Sequence, residues 1–110
     1  MADQVHVIQS SSDWAAKLQE ASKNKLIVVD FTATWCGPCK AIAPHFERLS
    51  KDYPNVIFLK VDVDRLPDVS SQWKVRAMPT FIFIKDGKQI DIIVGANKEE
   101  LEAKVARHSL

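Results

Sequence analysis

The sequence LIVVDFTATWCGPCK, residues 26–40, places a strongly apolar segment directly before two closely spaced cysteines. Leu26 to Phe31 is apolar and rich in β-branched residues, which is typical of a strand buried on both faces of a sheet. Pro38 suits the first turn of a following helix, where its missing N–H group leaves no hydrogen bond unmade. The stretch therefore predicts a buried strand, a turn and a helix that begins near Cys36.

On both sides of this stretch, predicted strands and helices alternate. Apolar periodicity predicts strands over Val5 to Ile8, Leu26 to Phe31, Val56 to Val63, Thr80 to Ile84 and Gln89 to Val94. It predicts helices from the serines at 10–12 to about Ser22, from about Cys36 to Tyr53, over Pro67 to Trp73 and after the capping pair Asn97 and Glu100. Asp86-Gly87 is typical of a hairpin turn between the last two strands.

The order βαβαβαββα predicts an α/β fold, a mixed five-stranded sheet with helices on both faces. Strands separated by helices are expected to be parallel neighbours, and the hairpin adds an antiparallel pair. Val28 to Phe31 precedes the cysteines, so they should lie at the carboxyl end of a central strand, where open α/β sheets bind ligands.

Two further expectations concern the helices. The first helix should present Trp14, Ala15, Leu18 and Ala21 on one face. Pro44 lies inside the second predicted helix and should kink it, because it cannot donate a hydrogen bond to the carbonyl oxygen of Lys40.

Length and composition restrict the class of protein. A chain of 110 residues, 46% hydrophobic and 26% charged, fits a single globular domain over residues 1–110. The net charge of +1 is spread along the chain and favours neither nucleic acid nor a membrane as partner. The N-terminus has no basic segment followed by an apolar one, which predicts an unexported, cytoplasmic protein.

Four interpretations compete for Cys36 and Cys39. A structural staple over so short a loop would contribute only about 2 kcal/mol of loop entropy. Structural zinc needs four ligands, and His45, six residues after Cys39, lies about 9 Å farther along a helix. Two incidental buried thiols are the third interpretation, and Gly37-Pro38 between them at a strand-to-helix turn argues against chance. The sequence predicts no metal site.

Redox catalysis gives the cysteine spacing a physical reason. Thiol–disulfide exchange needs an attacking thiolate and a second thiol that resolves the mixed disulfide. At the start of a helix, free N–H groups favour the thiolate of Cys36, so we expect Cys36 to be the exposed nucleophile. Cys39 should lie close by but covered, and act as the resolving thiol. Lys40 would add a weak positive contribution.

The motif Trp35-Cys36-Gly37-Pro38-Cys39-Lys40 resembles the active site of thioredoxins, in particular the cytosolic eukaryotic ones. Val29-Asp30-Phe31, Met78-Pro79-Thr80 and Val94-Gly95 resemble further segments of that family in the same order, so the resemblance covers essentially the whole chain. It implies the thioredoxin fold and a protein-disulfide reductase that needs no cofactor. It also implies recharging by an NADPH-dependent thioredoxin reductase.

The resemblance also assigns roles to Asp30 and Lys60. A carboxylate buried in an apolar strand should have a raised pKa and could exchange a proton. The resemblance directs that proton transfer toward Cys39, through water, and makes Lys60 the partner of Asp30.

Substrate binding is implied for a second group of residues. These are Trp35, Gly37, Pro38, Met78, Pro79 and Gly95. The resemblance implies a cis peptide bond before Pro79, which would let the Met78 backbone pair with an extended substrate. Trp35 would form the rim of the groove, and Gly95 would allow close approach.

The sequence leaves two other functions open. A thioredoxin-like domain could act as an oxidant or isomerase, depending on its reduction potential. It could instead be a binding module that uses the same groove without turnover. The main prediction is a monomeric reductant that supplies electrons to client proteins and maintains cell redox homeostasis.

Overall fold

The computed structural model describes residues 4–21 and 24–110. Its strands are β1 (Val5–Val7), β2 (Ile27–Thr32), β3 (Ile57–Asp62), β4 (Thr80–Lys85) and β5 (Lys88–Val94). Its helices are α1 (Ser11–Glu20), α2 (Gly37–Asp52), α3 (Pro67–Gln72) and α4 (Lys98–His108). The predicted order of elements is confirmed. The expected end of the first helix at about Ser22 lies outside the described residues.

The five strands form one sheet in the order β1-β3-β2-β4-β5, so β2 is central as predicted. β3 pairs in parallel with both β1 and β2, whereas β4 is antiparallel to β2 and to β5. The register aligns Asp30 with Lys60 across β2 and β3.

The expectation that strands separated by a helix are parallel neighbours holds for β2 and β3. It is wrong for β1 and β2 and for β3 and β4, which are not adjacent in the sheet. β1 and β2 leave between them a gap of two strand spacings, about 9–10 Å, which β3 fills. β4 begins beside Phe31, at the carboxyl end of β2, because Thr80 pairs with that residue. A strand that starts there can only run antiparallel to β2.

Both faces of the sheet are covered, because successive side chains of β2 alternate between two cores. Val28 packs in the core under α2 and α4, with Phe46 and Leu101. Val29 packs in the opposite core under α1 and α3, with Trp14 and others. The prediction of a strand buried on both faces is confirmed.

The face predicted for the first helix needs one correction. Trp14 is buried and Leu18 and Ala21 are half-buried against the core, but Ala15 is exposed. Positions 14, 18 and 21 form one row along a helix, and Ala15 is rotated about 100° away from Trp14.

Side-chain caps fix the beginnings of two helices. Ser10 Oγ accepts a hydrogen bond from the Asp13 N–H at 3.0 Å, and Asn97 Oδ1 accepts one from the Glu100 N–H at 3.0 Å. α2 runs through Pro44 without a break in helical assignment, and the kink there stays a prediction. Among the helices of residues 4–21 and 24–110, none is long and apolar enough to cross a membrane.

Candidate active site

The two cysteines lie at the junction between β2 and α2. Cys36 is the N-cap residue of α2, with φ −92°, and Pro38 lies in the first turn, as predicted. A disulfide joins Cys36 to Cys39, whose Cα atoms are 5.3 Å apart. The Cys39 N–H donates to Cys36 Sγ at 3.2 Å. The reactive sulfur therefore takes the place of the side-chain oxygen that usually caps a helix.

The expected difference in exposure between the two cysteines is wrong for this oxidised form. Cys36 is 5% exposed and Cys39 is 3% exposed. Both pack with Ala33, and Val63 and Met78 lie against them. The disulfide turns the sulfur of Cys36 toward its partner, so that only a small part of it meets solvent.

Met78 lies beside Cys36, and Gly95 bonds to the next residue of the same segment. The peptide bond between Met78 and Pro79 is cis, as the resemblance implied. The Met78 carbonyl oxygen lies 3.6 Å from Cys36 Sγ. The Gly95 N–H donates to the Pro79 carbonyl oxygen at 2.9 Å, and Gly95 has φ +110°, which favours glycine. The predicted binding residues thus meet at one end of the sheet.

The rim of this site is polar as well as aromatic. Trp35 is 66% exposed, and its indole Nε1–H donates to Asp64 Oδ2 at 2.8 Å. Gly37 and Pro38 are exposed beside it. Sequence analysis missed Asp64, because the turn after β3 brings it to Trp35 across 29 residues and no local pattern marks the pair.

Asp30 is buried in β2, on the same face as Val28, which α2 covers. It is 1% exposed, and its Oδ1 atom has no hydrogen-bond partner. Burial raises the pKa of Asp30 to about 7, although the charge of Lys60 opposes this increase. The predicted increase in pKa is therefore present.

A cleft of about 250 Å³ reaches Cys39 from the β3 side. Lys60 lies in its wall, together with the charged side chains of Lys40, Asp62 and Arg65. Cys39 and Lys60, which pairs with Asp30 in the sheet, therefore line the same solvent-open cleft. His45 contributes nothing here, and no group of three or more potential metal ligands occurs in the described part of the chain.

Comparison with known proteins identifies the family. The thioredoxin family model matches residues 4–107. The chain belongs to the thioredoxin family. A thioredoxin H-type from Picea mariana is 60% identical over 103 residues, which cover 93% of this chain and 82% of the relative. Thioredoxin H1 of Arabidopsis thaliana is 53% identical, with 96% and 93% covered.

The fold of this chain also matches that of a solved thioredoxin structure. The crystal structure of thioredoxin NaTrxh from Nicotiana alata superposes with a TM-score of 0.94 and 46% identity, covering 98% of this chain and 95% of that one. Thioredoxins are disulfide reductases, and Cys36 and Cys39 form the redox-active pair at the family position. The chain is thus a dithiol–disulfide oxidoreductase that acts on disulfide-containing proteins. The predicted fold and activity are confirmed.

Proposed function

We propose that Cys36 attacks the client disulfide and that Cys39 resolves the product. The Cys36 thiolate forms a bond to one client sulfur, and the other client sulfur leaves as a thiolate that takes a proton. The Cys39 thiolate then attacks Cys36 Sγ and releases the first client sulfur. Two electrons pass to the client, which becomes a dithiol, and the chain becomes the Cys36–Cys39 disulfide.

The position of Cys36 at the N-cap of α2 carries this assignment. Its sulfur already accepts the Cys39 N–H, and a thiolate is a stronger acceptor than a neutral sulfur. Its other neighbour is the Met78 carbonyl oxygen on the binding side of the site. Cys39 lies one turn farther along, facing the cleft and the core. A client that approaches over Met78 would meet Cys36 first.

Asp30 would act as the proton acceptor and donor for Cys39, with Lys60 as a positioning residue. A carboxyl group with a pKa of about 7 is present in both protonation states at neutral pH, so it can take a proton and return it. Water in the cleft beside Cys39 would connect the two groups.

We expect Asp30→Ala to slow release of the client from the mixed disulfide more than its formation. Stopped-flow measurement of both phases tests this, and an unchanged release rate contradicts it.

The client would lie in an extended conformation against Met78. Its backbone would pair with the Met78 backbone, since the cis Pro79 offers no N–H group that competes. Trp35, Gly37 and Pro38 would form one wall of the groove, and Gly95 would admit the client closely on the other side.

The partner that restores the dithiol would be an NADPH-dependent thioredoxin reductase. The chain would act as a single-domain monomer in the cytoplasm, and carry electrons between that reductase and client proteins. Turnover of insulin disulfides with NADPH and a thioredoxin reductase, at a rate that depends on the concentration of this chain, tests the electron route.

Trapping of client proteins tests the roles of the two cysteines. Cys39→Ser should accumulate mixed disulfides through Cys36 on incubation with oxidised insulin, whereas Cys36→Ser should not. The double variant Cys36→Ser/Cys39→Ser is the matched control for non-covalent association. Accumulation with Cys36→Ser alone would reverse the roles of attacker and resolver. If the double variant still changes the activity of a partner protein, the chain acts on that partner as a binding module, without thiol chemistry.

A further inference from the structure

β5 exposes an apolar row of side chains at the edge of the sheet. Ile90, Ile92 and Val94 are 41%, 41% and 64% exposed. Ile92 and Val94 pair with Ile82 and Thr80 and face away from α4, while Asp91 and Ile93 face toward it. Ile90 is the extra residue of a β-bulge opposite Phe83 and Ile84, and it is exposed beside them. We call Ile90, Ile92 and Val94 the β5 stripe.

The free edge of β5 is closed to a further strand at its centre. The Ile92 N–H donates to Asp91 Oδ1 at 2.8 Å, and the Ile92 carbonyl oxygen accepts from Lys104 Nζ at 3.2 Å. Lys104 Nζ also donates to Asp91 Oδ1 at 2.7 Å, which holds both side chains in place. A partner that adds a strand would have to displace this ion pair. The accessible feature of β5 is therefore its apolar face.

The β5 stripe is continuous with the redox site. Val94 pairs with Thr80 and directly precedes Gly95, whose N–H binds the Pro79 carbonyl oxygen. The Met78 carbonyl oxygen then lies beside Cys36 Sγ. From Val94 to Ile90 the strand extends roughly 13 Å. A polypeptide held at Cys36 must first cross about two strand spacings to Val94, roughly three residues, and could then reach Ile90 with about four more.

We propose that the β5 stripe binds apolar side chains in the client segment that flanks the disulfide being reduced. This inference rests on the proposed attack by Cys36. Three residues are far too few for a stable dimer, which buries on the order of 1,200 Å² or more. They are enough for a client that Cys36 tethers covalently, because tethering makes even a weak contact effectively intramolecular. Contact is through side chains, without strand addition.

The test uses two synthetic peptides with the same internal disulfide. Six residues flank the disulfide on each side, with valine at alternate positions in one peptide and serine in the other. The variants are Ile90→Thr/Ile92→Thr and, as matched control, Ile90→Val/Ile92→Val. Threonine and valine have the same shape and similar strand propensity, so the two differ only in polarity. Ellman's reagent, a small aromatic disulfide, reports the redox chemistry alone.

We expect the wild type and the valine variant to prefer the valine peptide, with a KM roughly three- to tenfold below that for the serine peptide. The threonine variant should lose the preference while kcat stays unchanged. Its rate with Ellman's reagent should equal that of the wild type. If no protein reduces Ellman's reagent, the proposed function fails rather than the stripe.

Two outcomes would overturn the proposal for the stripe alone. One is normal reduction of Ellman's reagent with no preference between the peptides in the wild type. The other is a wild-type dimer in sedimentation velocity that the threonine variant disperses, together with no peptide preference. That result would assign the stripe to a second copy of this chain.

Discussion

Asp30→Asn should remove a pH dependence from the stability of the oxidised protein. Burial raises the pKa of Asp30 from 3.8 to about 7, and each pKa unit corresponds to 1.36 kcal/mol, so the shift is worth about 4 kcal/mol. The folded state prefers the neutral acid, whereas the unfolded chain loses the proton near pH 4. The free energy of unfolding therefore falls as pH rises from about 4 to 7 and then levels off. Asparagine stays neutral throughout.

Urea denaturation of both oxidised proteins at pH 4, 5.5, 7 and 8.5 measures the effect. The stability of Asp30→Asn relative to the wild type should increase by about 4 kcal/mol between pH 4 and pH 8.5. Subtraction of the pH 4 value removes the intrinsic cost of the buried amide. Glu102→Gln, at an exposed position on α4, is the control and should show no such change. Parallel curves for the wild type and Asp30→Asn would refute the argument from burial.

Three other substitutions test two contacts and one backbone conformation that hold the fold. Asp91→Asn should lower the free energy of unfolding by about 2 kcal/mol at pH 7. Burial would raise the pKa of Asp91, but hydrogen bonds from Lys104 and His108 hold it well below its usual range, so the loss should shrink progressively as the pH falls below about 4. Gly95→Ala should cost about 1–2 kcal/mol in thermal melts, since φ is +110° while an added Cβ would meet no atom within 4 Å. Ser10→Ala should cost about 1 kcal/mol in urea, through loss of the α1 cap. An unchanged midpoint in any of these measurements would contradict the role given to the contact or, for Gly95, to the backbone conformation.

Local sequence patterns were enough to predict the helices and strands, but not the order of the strands in the sheet. Leu26 to Phe31 predicts a doubly buried strand because both of its faces are apolar, and Asn97 predicts a helix start because its side chain can cap. The order of the strands depends on where each connection ends in space. The start of β4 beside Phe31 makes β4 antiparallel, and no residue of the preceding helix encodes that position.

The same distinction applies to the site. Cys36 and Cys39 could be placed at a helix start because Pro38 marks its first turn. The contact between Trp35 and Asp64 could not be predicted, because it joins two loops that meet only in the folded sheet. The near-complete burial of Cys36 also depends on Met78, which reaches it across 42 residues.

The cap at the start of α2 makes protein stability and thiol chemistry inseparable at one atom. The sulfur that accepts the Cys39 N–H also bonds to the client, so each change in its charge or bonding alters the first turn of the helix. Serine at position 36 keeps an acceptor there, whereas alanine removes it. An inactive alanine variant would therefore mix a folding defect with a chemical one. Serine is the substitution that isolates the chemistry.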